Sequence, residues 1–155
     1  MSSTDEGGPS PLTANDQDAG QPESAGSTPV SELFEDAVVW VRPEATLEEV
    51  ADGLAAADIG AMVVGDGTRV AGIVSERDLV RAVAERRPLA GTRAVDIAHT
   101  NLVWCDRTAT VAEVAAEMMD RYVRHVLVED EGSLVGIVSA RDLLGVYATE
   151  DEEPG

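Results

Sequence analysis

The chain has 155 residues, 44% of them apolar, which suffices for one compact core, and it sets eleven basic side chains against thirty acidic ones for a formal charge of −19. That balance argues against a nucleic-acid or anionic-membrane partner, because either would need a basic stripe and none is visible. All basic residues are Arg, the single Cys105 can form no internal disulfide, and with neither a basic-then-apolar leader nor a bilayer-length apolar run a cytoplasmic protein is expected.

Residues 1–29 are Ser, Gly, Asp, Pro, Thr and Gln with almost nothing to bury, so a disordered acidic tail is expected there. It serves as a solubility or docking arm, or is a mere extension. From Val30 a short helical turn capped by Ser31 leads into a strand, Val38-Val39-Trp40-Val41. Thr46-Leu47-Glu48-Glu49 then reads as a capping box, and apolar residues at Leu47, Val50 and Leu54 give the helix it opens one buried face. Ala61 to Val64 and Val70 to Val74 are β-rich runs joined by Gly65-Asp66-Gly67, a hairpin. A closing helix runs from Ser75 towards Arg86, and Pro88 and Gly91 mark a linker.

The same order then repeats sixty-four residues later. Ala94 to Ala98 and Leu102-Val103-Trp104 open the second copy, Thr110-Val111-Ala112-Glu113 is its capping box, and His125 to Val128 and Leu134 to Val138 form its hairpin about Glu129 to Gly132. Its closing helix runs from Ser139 towards Tyr147, with an acidic tail at 150–155. Val39 to Val83 and Val103 to Tyr147 share sixteen of forty-five residues without a gap, which marks a tandem duplication. The expected class is α/β, built as β-α-β-β-α twice, with the first repeat over 30–93 and the second over 94–149.

The most similar stretches are Gly72-Ile73-Val74-Ser75-Glu76-Arg77-Asp78-Leu79 and Gly136-Ile137-Val138-Ser139-Ala140-Arg141-Asp142-Leu143. In each, Ser75 or Ser139 is placed as a helix N-cap and Asp78 or Asp142 falls in the first turn, where the helix dipole favours a carboxylate. Capping alone explains both residues. A strand feeding a helix start also presents free N–H groups to an anion, and the chain does this twice.

With Val39-x-Val41-x-Pro43, the Thr46 box and the Ile59 to Val64 run, each copy resembles a CBS domain, the cystathionine-β-synthase-type module that occurs in tandem pairs. The resemblance covers all but the two tails. It implies two repeats related by pseudo-twofold symmetry, assembly into a homodimer, and clefts that take an adenosine-containing ligand: AMP, ADP, ATP, S-adenosylmethionine or NAD. It also implies that Asp78 and Asp142 bond ribose hydroxyls while Ser75 and Ser139 face phosphate. Arg77 and Arg141 either reach phosphate oxygens or are solvated helix charges. Arg124 and His125 stand where family members carry basic residues towards phosphates, and the first copy has Gly60 and Ala61 there, so a phosphorylated ligand is expected to favour the Arg124 side. Trp40 and Trp104 occupy one duplicated position and either stack on adenine or fill the core or a dimer face. Pro43 has Arg107 as its counterpart, so the second strand is expected to end differently.

No zinc, hydrolase or P-loop motif occurs. The function that the resemblance implies is that of a non-enzymatic, energy-sensing regulatory protein, with no resident cofactor expected. The alternatives are a ligand-free module that dimerises and docks on an enzyme or transporter, and a metal or redox stress protein using His99, Cys105 and His125.

Overall fold

In the computed structural model of the chain, residues 25–34 and 38–152 are described. Each repeat contributes a three-stranded sheet, in the orders β1-β2-β3 and β4-β5-β6. In the first repeat these are β1 (Trp40–Val41), β2 (Ala61–Gly65) and β3 (Val70–Ser75), with helices α1 (Leu47–Ala57) and α2 (Glu76–Ala84). The second repeat opens on α3 (Ala94–Ile97) and continues with β4 (Trp104–Asp106), α4 (Val111–Arg121), β5 (His125–Asp130), β6 (Ser133–Ser139) and α5 (Ala140–Glu152). The fold is thus the mixed α/β arrangement expected, laid down twice.

The duplication extends to individual hydrogen bonds. Thr46 Oγ1 accepts from Glu49 N at 3.2 Å and Thr110 Oγ1 from Glu113 N at 3.2 Å, while each Glu carboxylate accepts from its Thr amide at 2.9 Å. Both expected capping boxes are therefore formed, each contributing about 1 kcal/mol. Both hairpins carry a register shift at the same place, between Val64 and Gly65 and between Val128 and Glu129. The first strand of each sheet runs parallel to the second, and here the copies differ. Arg107 N donates to Glu129 O at 2.9 Å, extending the β4 ladder; Pro43 has no N–H to offer, and β1 is one residue shorter than β4.

Each sheet is buried on both faces, and alternation along the strands sorts its side chains. Met62, Val64 and Val74 face the helices of the first repeat, and Val126, Val128 and Val138 those of the second. The intervening residues Ala61, Val63, Ile73 and Leu127 meet at a seam between the two sheets. Burial on both sides explains why these strands read as unbroken apolar runs.

The opening segment of each repeat packs on the other repeat. Val30 belongs to the cluster around Val111 and Val126, and its N–H donates to Ala109 O at 2.8 Å. Ala94 belongs to the cluster around Val50 and Val64, and its N–H donates to Ala45 O at 2.7 Å. The halves are therefore clasped reciprocally rather than laid side by side.

Four expectations need correction. Part of the expected tail is packed: Ala25–Ser27 form a 3-10 turn on the second repeat, where Thr28 O accepts from Val111 N at 2.8 Å and a Cβ on Gly26 would stand 3.2 Å from Ala112 Cβ. The remainder of the expected acidic tail lies outside the described residues. Pro29, not Ser31, caps the turn Val30–Glu32, because its extended backbone forms an antiparallel bridge to Thr110. The strand expected from Val38 is confined to Trp40–Val41. Helix α5 continues past Tyr147 to Glu152, since the first helix breaker is Pro154.

Candidate functional site

Strands β2 and β3 deliver Ala61 and Ser75 to one end of the first sheet, and β5 and β6 deliver His125 and Ser139 to the matching end of the second, each pair in register. The helix after each Ser starts there, with Glu76 N donating to Gly60 O at 2.9 Å and Ala140 N to Arg124 O at 2.8 Å. Both starts face one cleft of about 1410 Å³ that runs between the repeats. Ser75, Arg77, Asp78, Arg124, His125, Ser139, Arg141 and Asp142 all line it, so the two halves share one continuous space. Four of the eleven arginines and both histidines gather there, in a chain of charge −19.

The two aspartates are held differently. Asp78 is only 8% exposed. Its Oδ2 accepts from Ser75 N and Ser75 Oγ, each at 2.9 Å, and lies 3.2 Å from His99 Nδ1, while Arg81 stands 3.7 Å from its Oδ1. Burial pushes this carboxyl up, but the bonds from His99 and Ser75 outweigh it and hold the group below the ordinary Asp value. Asp142 is exposed and accepts from Ser139 N at 2.9 Å, with Ser139 Oγ accepting from Asp142 N at 3.0 Å.

His125 is partly buried near His99, Asp142, Asp78 and Arg124. Burial first, then repulsion from His99, lowers its imidazole below the ordinary 6.5, against the opposing pull of Asp142 and Asp78. Below that ordinary value the unfolded chain takes up a proton that the folded chain resists, so His125 removes stability as pH falls through it. His125→Gln is expected to flatten the dependence of the urea midpoint on pH between about 7 and 5. An unchanged slope would refute this assignment.

Trp40, Trp104 and Cys105 are not among the residues that line the cleft. Trp40 pairs with Val63 in the parallel ladder and its ring turns to the hairpin end of β2, where a Cβ on Gly65 would lie 2.7 Å from it. It packs at the seam between the sheets, whereas Trp104 is 40% exposed beside α4. Neither is among the residues lining the cleft, because both lie farther along their strands than the Ser-bearing ends. Nor do His99, Cys105 and His125 meet. Cys105 lines a separate depression of about 570 Å³ with Trp104 and Glu117, and burial, aided by Asp106 and Glu129, pushes its thiol up to about 11, leaving little reactive thiolate. Among the described residues no group of three or more His, Cys, Asp or Glu is placed to hold a metal ion.

That second depression marks a further difference between the copies. In the first repeat Met62 fills the corresponding space, its Sδ 2.9 Å from where a Cβ on Gly53 would stand; in the second, the counterparts are Val126 and Glu117.

Sequence reasoning missed Arg81 and the role of His99. Arg81 lies one helical turn beyond Asp78, a spacing that brings side chains together and could have been noticed. His99 is twenty-one residues from Asp78 and arrives only through its backbone bridge to Ile73.

The family model described as "CBS domain" matches residues 30–85 and again 94–149. Among curated proteins, Hypoxic response protein 1 of Mycobacterium tuberculosis is 30% identical over 118 residues, spanning 75% of this chain and 82% of the relative. Magnesium transporter MgtE of Thermus thermophilus is 39% identical over 123 residues, 74% of this chain and 26% of the transporter. Among solved structures, a CBS domain protein from Pyrobaculum aerophilum complexed with AMP is 36% identical, with a TM-score of 0.68 and coverage of 78% of this chain and 98% of that one.

Proposed function

The chain belongs to the CBS domain family, and from that premise we propose that it is a regulatory rather than catalytic protein, a homodimer that binds an adenosine-containing nucleotide in the cleft between its repeats. The observation that carries this reading is the convergence of two Ser-x-x-Asp helix starts and four arginines on one cleft. A carboxylate at such a start accepts from both hydroxyls of a ribose, and the helix N-terminus, Ser hydroxyl and guanidinium groups take phosphate. Arg124 and His125 lie beside the start of α5, where the first repeat offers only Gly60 and Ala61, which favours the second half for the phosphorylated end. The AMP complex of the Pyrobaculum aerophilum protein supports the same ligand class.

Ligand held between the repeats stabilises one relative orientation of them, and the difference in affinity between orientations is what shifts the population. Isothermal titration with AMP, ATP, S-adenosylmethionine and NAD tests the reading. Binding of at least one is expected, and no heat with any at millimolar ligand would overturn it.

A second reading, a ligand-free module docked on an enzyme or transporter, is favoured by the similarity to part of a magnesium transporter and by the exposed Val80, Val83 and Leu144. No helix among the described residues is long and apolar enough to cross a membrane.

A further inference from the structure

Resting on the nucleotide reading, we propose that His99 makes the two halves of the cleft unequal: its ring holds Asp78, so the Ser139–Asp142 half takes nucleotide first and the Ser75–Asp78 half fills only when His99 lets go. Asp78 Oδ2 already receives the Ser75 amide, the Ser75 hydroxyl and the His99 ring, and Arg81 stands over Oδ1. A carboxylate offers about four lone-pair directions, so a ribose diol finds little of this one to bond.

His99 is fixed in that place by its own backbone. Its N–H donates to Ile73 O and its carbonyl accepts from Ile73 N, both at 3.0 Å. Gly72 lets the two strands approach this closely, since a Cβ there would stand 2.9 Å from His99 O and 3.1 Å from Ala98 Cβ. The ring is therefore aimed at Asp78 by the segment that clasps the second repeat onto the first.

Among the described residues, no side chain but that of Ser139 is hydrogen-bonded with Asp142 in the way that His99 is with Asp78. Sixty-four residues before His99 stands Glu35, an acceptor-only side chain that lies outside the described residues, and sixty-four after Arg81 stands Gly145, which has no side-chain charge. Asp142 receives the Ser139 amide, is exposed, and lines the cleft together with Arg124 and His125. The copies kept the helix start and diverged at the two positions that occupy the carboxylate.

Calorimetric titration of the full chain with AMP tests this. The wild type is expected to bind one AMP per chain, with a second site weaker by roughly tenfold or more, the cost of breaking a charged hydrogen bond. His99→Ala is expected to bring the two affinities within about threefold, whereas His99→Gln, whose amide still donates to Asp78, keeps them apart. Two equal sites in the wild type, or an unchanged gap in His99→Ala, would overturn the inference and leave nucleotide binding standing; no AMP binding at all would overturn both. Should His99→Ala not fold, the imidazole resonances of the wild type decide: His125 is expected to shift during the first equivalent and His99 only after it, and the reverse order refutes the proposal.

Discussion

Leu127→Ala is expected to lower the stability of the entire chain by about 3 kcal/mol and its thermal midpoint by about 10 °C. Leu127 is fully buried in the middle strand of the second sheet, at the seam where Ala61, Val63 and Ile73 arrive from the first. Removing three carbons there opens a cavity whose walls are strands held by ladders on both sides, so little collapse can offset the loss. The effect should reach both repeats together, because side chains from both sheets make up that seam. Trp40 and Trp104 report on opposite repeats, and single-tryptophan versions should unfold at one common denaturant concentration. A loss below about 1 kcal/mol, or two separate transitions, would show that the seam does not join the halves energetically.

Asp142→Ala should weaken AMP binding by between about tenfold and a hundredfold, the range for losing hydrogen bonds to an ionised acceptor. The change in stability should be small, about 1 kcal/mol, since only the bond from Ser139 N to this exposed side chain is lost from the fold. That contrast separates a ligand contact from a structural one. Equal AMP affinity in the variant and the wild type would move the ribose contact elsewhere in the cleft.

Much of the architecture was legible because it is written locally and written twice. A Thr followed three residues later by Glu satisfies two amides at a helix start whatever surrounds it, and both such boxes formed. The hairpins followed in the same way from β-branched runs around acidic, Gly-containing turns. The exchange of Val30 and Ala94 between repeats had no local signature: an apolar residue ahead of a strand says that it will be buried, not against which half. The direction of the tryptophan rings was hidden for a related reason. With both faces of each sheet covered, alternation carries no contrast between inside and outside, so position along the strand, rather than face, excluded Trp40 and Trp104 from the cleft. Ser75 and Asp78 were visible as a motif, while the inequality between Asp78 and Asp142 depends on His99, brought from a distant stretch by two backbone bonds.

The traded opening segments bear on how such a chain came to exist. A polypeptide of one repeat would carry an uncovered groove and, at its beginning, the very piece that fits it, so two identical molecules could each complete the other before any gene fusion joined them. Once tethered, the partners were free to drift apart in sequence without losing their embrace. The unequal settings of Asp78 and Asp142 are the kind of liberty that such an inheritance permits.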